Sequence, residues 1–123
     1  MSRTRWTLLG ALFGLLPLFG AQAAQEPAAS VAAQDLQGHF QQANKAYLDG
    51  AYETAVSEYE KVVNAGVVHP DLFFNLGNAY YRAGRKGLAV LYLQKALDLD
   101  PSDEAAASNL AAVRKSLIDL VVF

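Results

Sequence analysis

Along this chain, apolar residues recur every three or four positions over long stretches, and the stretches break at glycine or proline. Tyr52, Ala55, Val56, Tyr59, Val62 and Val63 follow the i, i+3, i+4, i+7 rule of a helix with one buried face. Residues 74–84, "FNLGNAYYRAG", set aromatic residues beside small ones at helical spacing and stop at Gly84. From Asp103 to Leu120 the stripe is one-sided: Ala106, Leu110, Val113, Leu117 and Leu120 share a face, with Glu104, Ser108, Arg114, Lys115 and Asp119 opposite. The punctuation agrees with helices throughout. Gly50 and Gly84 stand where a first helix would end in a left-handed residue, a conformation cheap only for glycine. Pro70 suits the first turn of a helix capped by His69 or Asp71. Asp100-Pro101-Ser102 breaks the chain again and offers Ser102 as the next N-cap.

The pattern repeats. Shifted by 34 positions, the sequence lines up with itself: Asn44 falls on Asn78, Tyr47 on Tyr81, Gly50 on Gly84, Ala55 on Ala89 and Lys61 on Lys95. Ala43 meets Gly77, small in both copies, as expected where two helices cross closely. Self-similarity at a fixed period of 34 marks stacked helix-turn-helix units. "NLGNAYYRAG" followed by "AVLYLQKALDLDP" resembles the tetratricopeptide repeat (TPR) consensus, and the resemblance covers residues 36–120. It implies an all-α fold: a TPR solenoid of two helix-turn-helix repeats, 36–69 and 70–103, closed by a capping helix over 103–120. Two departures stand out. Repeat 1 runs on through "NAGVVHP" without a tight closing turn, and Arg85-Lys86-Gly87-Leu88 replaces the family's usual acidic helix start.

The N-terminus belongs to something else. Arg3 and Arg5 precede the apolar run "WTLLGALFGLLPLF", which is too short to span a bilayer, and Ala21 and Ala23 flank Gln22 as a signal peptidase requires. Residues 1–23 are therefore expected to be a secretory signal peptide, and residues 24–35, rich in alanine, a flexible lead-in. Export to the periplasm follows, with membrane association through a partner; an uncleaved membrane anchor is the alternative reading of the same run. Taking Arg3 and Arg5 away from the ten basic residues leaves 8 against 12 acidic ones, a balance that speaks against nucleic acid and against docking on anionic lipid. With no cysteine there is no disulfide framework and no thiol chemistry. His39 and His69 lie in different hairpins with no ligand-spaced companion, no phosphate loop is present, and no serine has a base beside it. No cofactor, no metal and no enzymatic activity are expected.

A narrower resemblance, over "FNLGNAYYRAGRKGLAVLYLQKALDLDPSDEAAASNLAAVRKSL", is to exported TPR proteins of bacterial aerotolerance-type (Bat) operons. It implies a von Willebrand A-domain membrane protein as partner. By the TPR pattern, the concave face of the first helices carries Phe40, Asn44, Tyr47 and Leu48 from repeat 1, and Asp71, Phe74, Asn78, Tyr81 and Arg82 from repeat 2. An amide offers both donors and an acceptor, so Asn44 and Asn78 can grip an extended peptide, or else serve hairpin packing. The family's carboxylate-holding clamp is missing, since its positions hold Phe40, Ser108 and Ala112. A second surface is apolar only in repeat 2: Thr54, Ser57 and Glu58 become Leu88, Leu91 and Tyr92. Two functions follow. One is a scaffold that binds a peptide or partner protein in its groove. The other is an assembly subunit or homo-oligomer held by its convex patch and C-terminal helix. Two repeats and a cap are few for a stable stack, and "LIDLVVF" ends apolar, so the sequence reads as a piece of a longer protein, as one that self-associates, or as one whose apolar tail frays.

Overall fold

The computed structural model describes residues 28–121. These form five helices: α1 (Ala28–Leu48), α2 (Tyr52–Asn64), α3 (Pro70–Arg82), α4 (Lys86–Leu99) and α5 (Glu104–Val121). The expected signal peptide and the first residues of the lead-in lie outside that range. From Ala28 onward the lead-in is helical, not flexible as its composition suggested, and α1 reaches 21 residues. The cause is local, because after Pro27 the segment has no breaker before Gly38 and four of those ten residues are alanine, the strongest helix former. The core contributes little there: the first buried residue of α1 is Ala43.

Each hairpin turns in the same way. At the end of α1, Gly50 has φ 78°, its N–H donates to the Tyr47 carbonyl (3.1 Å), and the Ala51 N–H donates to the Ala46 carbonyl (2.8 Å). At the end of α3, Gly84 has φ 82°, with Gly84 N–H to Tyr81 (3.0 Å) and Arg85 N–H to Tyr80 (2.8 Å). Both are Schellman caps, which satisfy carbonyls that a helix end would otherwise leave without a donor. The helices then cross over their small residues. Ala43, Ala55 and Ala89 are wholly buried. At Gly77 the approach is closer still, because a Cβ there would stand 2.8 Å from Leu93 Cγ.

Hairpins α1–α2 and α3–α4 stack through α2 on α3, and α5 packs on α4. The first helices α1, α3 and α5 also touch in turn, which is the order of a solenoid. Tyr59, Leu72, Leu76 and Leu93 form the bulk of one continuous core. Two details of α5 differ from expectation. Its N-cap is Asp103, whose Oδ1 accepts from the Ala106 N–H (3.0 Å), whereas the Ser102 hydroxyl donates to Asp100 Oδ1 (2.7 Å). Asp103 wins because it immediately precedes the first helical residue. Ala106, Leu110 and Val113 are buried as the stripe predicted, but Leu120 is 66% exposed. With 18 residues, α5 outruns the 14-residue α4 that supports it, leaving Ile118, Leu120 and Val121 in the open. Val122 and Phe123 lie outside the described residues.

The outer layers of the two hairpins differ in chemistry. In the first, Glu58 bonds His39 Nδ1 (2.6 Å) and Lys61 Nζ (2.6 Å). The equivalents in the second are Phe73, Tyr92 and Lys95. The rings of Phe73 and Tyr92 meet edge-on at 5.7 Å, and Lys95 Nζ lies 5.0 Å from the Tyr92 centroid.

Candidate functional site

A groove runs across the first helices. Its first section, about 410 Å³, lies between α1 and α3 and is lined by Asn44, Tyr47, Leu48, Phe74, Asn75 and Asn78, with Tyr59 behind them. The second, about 230 Å³, lies between α3 and α5 and is lined by Tyr47, Asn78, Tyr81, Arg82 and Asn109, with Ala112 and Val113. Tyr47 and Asn78 belong to both sections, so the two are continuous. Seven of the nine groove residues expected from sequence are brought together here. Of the other two, Phe40 sits apart: it packs edge-on against Tyr59 (5.7 Å) and lines a separate cavity of about 300 Å³ with Leu36, Val62 and Val67. Asp71 lines that cavity too, with its N–H bonded to His69 Nδ1 (3.2 Å) in the α3 cap.

The asparagines act in pairs that bridge one first helix to the next. Asn44 Oδ1 accepts from the Tyr59 hydroxyl and from Asn75 Nδ2 (3.4 Å). Asn78 Oδ1 accepts from Asn109 Nδ2 (2.9 Å). Asn44 and Asn78 thus hold neighbouring repeats in register through their oxygens. Burial, and after it the nearby Tyr47, push the Tyr59 hydroxyl up to about 12, so it remains a donor across the physiological range. Asn75 and Asn109 were not foreseen from the sequence. The signal was present, since they too are 34 apart.

The aromatic side of the groove is braced from behind. Tyr47 packs edge-on against Tyr52 of α2 (5.3 Å), and the Arg82 guanidinium lies 4.5 Å from the centroid of that same Tyr52 ring. Among the described residues, Arg82 is the sole cationic side chain lining either section, and its charge is turned onto a ring. The floor is therefore amide and aromatic, and close to neutral. Among the described residues no cluster of His, Cys, Asp and Glu could hold a metal ion.

On the convex side, Leu88 and Leu91 are 39% and 46% exposed, so α5 does not cover them. Tyr92 differs from its two neighbours. It is half-buried, stacked between Phe73 and Tyr80 (5.5 Å). The Tyr80 hydroxyl in turn donates to Glu60 across the hairpin boundary. Burial first, and then that carboxylate, raise the Tyr80 hydroxyl above its ordinary value.

Comparison with known proteins agrees with this architecture. Over 81 residues, 66% of this chain, the sequence is 30% identical to anaphase-promoting complex subunit 3 of Schizosaccharomyces pombe. The chain spans only 11% of the length of that protein. Residues 70–103, which hold all of α3 and α4, match the tetratricopeptide repeat family. The five helices, with that repeat at their centre, form an all-α TPR solenoid.

Proposed function

We propose that this protein is a non-catalytic scaffold of the bacterial cell envelope, and that its groove across α1, α3 and α5 captures an extended peptide or a segment of a partner protein. TPR repeats in general mediate protein–protein interaction. The observation that carries the reading here is the recurrence, one repeat apart and in one continuous groove, of the same amide-and-tyrosine set. Side-chain amides serve both polar groups of a peptide backbone, and tyrosines supply contact area at low entropic cost. Export rests on the N-terminal pattern of basic residues, apolar run and Ala-x-Ala. A von Willebrand A-domain membrane protein is the partner class that the Bat-type resemblance suggests.

The test is affinity capture from a bacterial envelope extract with residues 24–123, run beside the Asn78→Ala/Tyr81→Ala variant. A partner held by the natural chain and lost by a variant of unchanged helix content is the expected result. A partner kept by both would contradict the groove reading.

Leu88 and Leu91 support a second reading, association through the convex face, with another copy or within a membrane complex. Leu88→Lys with Leu91→Lys then abolishes association and leaves the circular dichroism of the helices unchanged. Loss of the helices would instead make these leucines part of the fold.

A further inference from the structure

The groove changes character along its length. Its α1–α3 section carries no charge, and Phe74 and Leu48, the latter 84% exposed, give it an apolar wall. In the α3–α5 section Arg82 adds a full positive charge, on an exposed side chain at the end of α3. Among the described residues no aspartate or glutamate lines either section. That cation is also unspent. Lys45, Lys61 and Arg85 each face a carboxylate, on Asp49, Glu58 and Glu53. Arg82 has neither an ion pair nor a side-chain hydrogen bond among the described residues, and its guanidinium rests on the Tyr52 ring, 4.5 Å from the centroid.

A ring is a weak partner for an exposed guanidinium, and it leaves the N–H groups unbonded. A carboxylate offers two oxygens to those N–H groups in parallel, and such charge-assisted pairs are the stronger kind. A carboxylate that enters the α3–α5 section is therefore held there. A cationic side chain at the same point meets Arg82 with no carboxylate in the lining to balance it, which is repulsion. The carboxylate also has a defined origin. Of the three first helices, α3 is the middle one, and Asn109 of α5 lines the groove beyond it. A chain that fills both sections runs on past Arg82, so the residue beside Arg82 is an internal one.

Resting on the groove reading above, we infer that the captured segment carries an internal aspartate or glutamate that pairs with Arg82, and an apolar side chain that lies against Leu48 and Phe74. The two sections thus set the order of the ligand: its apolar residue lies over α1 and α3, and its carboxylate over α3 and α5. This carboxylate belongs to a side chain, in keeping with a groove that lacks the cluster of cations a chain end would need.

The test is fluorescence anisotropy at low ionic strength, with residues 24–123 and labelled twelve-residue serine peptides blocked at both ends. Each peptide carries one leucine and one aspartate, from two to six positions apart and in either order, since an extended chain covers about 3.3 Å per residue and the two sections adjoin. Each has a twin with asparagine in place of aspartate. At the best spacing the aspartate peptide should bind about fivefold more tightly than its twin, and added salt should shrink that advantage. Arg82→Gln should erase the advantage and Arg82→Glu should transfer it to a lysine twin, both variants being checked for unchanged helix content. Equal binding of the twins at every spacing overturns the carboxylate, and if Asn78→Ala/Tyr81→Ala weakens both alike the groove reading survives. An advantage that persists in Arg82→Gln, or that Arg82→Glu does not transfer, overturns Arg82 as its partner. An asparagine twin with a free C-terminus that matches the blocked aspartate peptide overturns the internal position. Binding unchanged when serine replaces the leucine overturns the apolar contact. Failure of every peptide overturns the inference; the groove reading itself falls only if the partner captured from the envelope also survives Asn78→Ala/Tyr81→Ala.

Discussion

The first and second hairpins share a backbone and differ in what holds their outer layers. Both end their first helix with a glycine at φ near 80° and the same pair of cap hydrogen bonds. Both cross over small residues that are wholly buried. Yet at three matched positions one carries His39, Glu58 and Lys61, joined by ion pairs, and the other Phe73, Tyr92 and Lys95, joined by ring contacts. The repeat fixes what the backbone demands, namely turns and close crossings. It leaves open any position where side chains of either kind can satisfy one another.

Substitutions at matched positions can break this comparison. The largest contrast is expected between Phe73→Ala and His39→Ala. Phe73 is 8% exposed, and truncating a buried aromatic costs about 3–5 kcal/mol. His39 sits in a partly exposed ion pair, and its loss should cost about 1 kcal/mol or less. Urea unfolding of the two variants measures the difference, and equal costs would show that the two triads are energetically alike.

Next comes the crossing point. Gly77→Ala places a methyl group 2.8 Å from Leu93 and should cost about 1–3 kcal/mol by overpacking. Its partner Ala43 already carries that methyl, so the first hairpin crosses less closely, and Gly77→Ala/Leu93→Ala should recover part of the overpacking loss. Smaller again, and equal in the two hairpins, are Gly50→Ala and Gly84→Ala. Nothing lies within 4 Å of an added Cβ at either position, so each should lose only the left-handed backbone penalty of about 1–2 kcal/mol. A clear difference between them in thermal unfolding would mean that the two turns are not equivalent.

The smallest effect is on pH dependence. A hydrogen bond from Lys61, and then one from His39, hold the Glu58 carboxyl below its ordinary 4.5. A carboxyl whose folded value is lowered adds stability that is fully present above 4.5 and is lost as the pH falls through the lowered value. Glu58→Gln should therefore flatten the acid limb of the stability curve below that point. Tyr92, the matched residue, has no carboxyl to titrate there, and Tyr92→Phe should leave the acid limb unchanged.

Much of this was legible in the sequence because it rests on periodicity and on glycine. The 34-residue offset located both caps and the crossing residues, and the resemblance to the TPR pattern named seven of the residues that line the groove. Three features were not legible, each for its own reason. Phe40 obeys the helical period but is drawn toward Tyr59 and out of the groove, a matter of ring packing that spacing does not encode. Tyr92 reads as part of an apolar patch with Leu88 and Leu91, but Phe73 and Tyr80 offer it a stacking site on the inner side. The role of Asn75 and Asn109 depends on side-chain contacts between one first helix and the next, which matching positions along the chain does not show. The offset, continued into α5, matches Leu76 with Leu110 and so Asn75 with Asn109, but a match of positions does not reveal a bridge.

The most direct test of the central claim is an NMR titration of residues 24–123 with the partner segment recovered from the envelope. It would follow the side-chain amide signals of Asn44, Asn75, Asn78 and Asn109 together with the methyl signals of Leu88 and Leu91. Shifts of the four amides with still methyls are the expected result. Shifting methyls and still amides would contradict the account and move the working surface to the convex face.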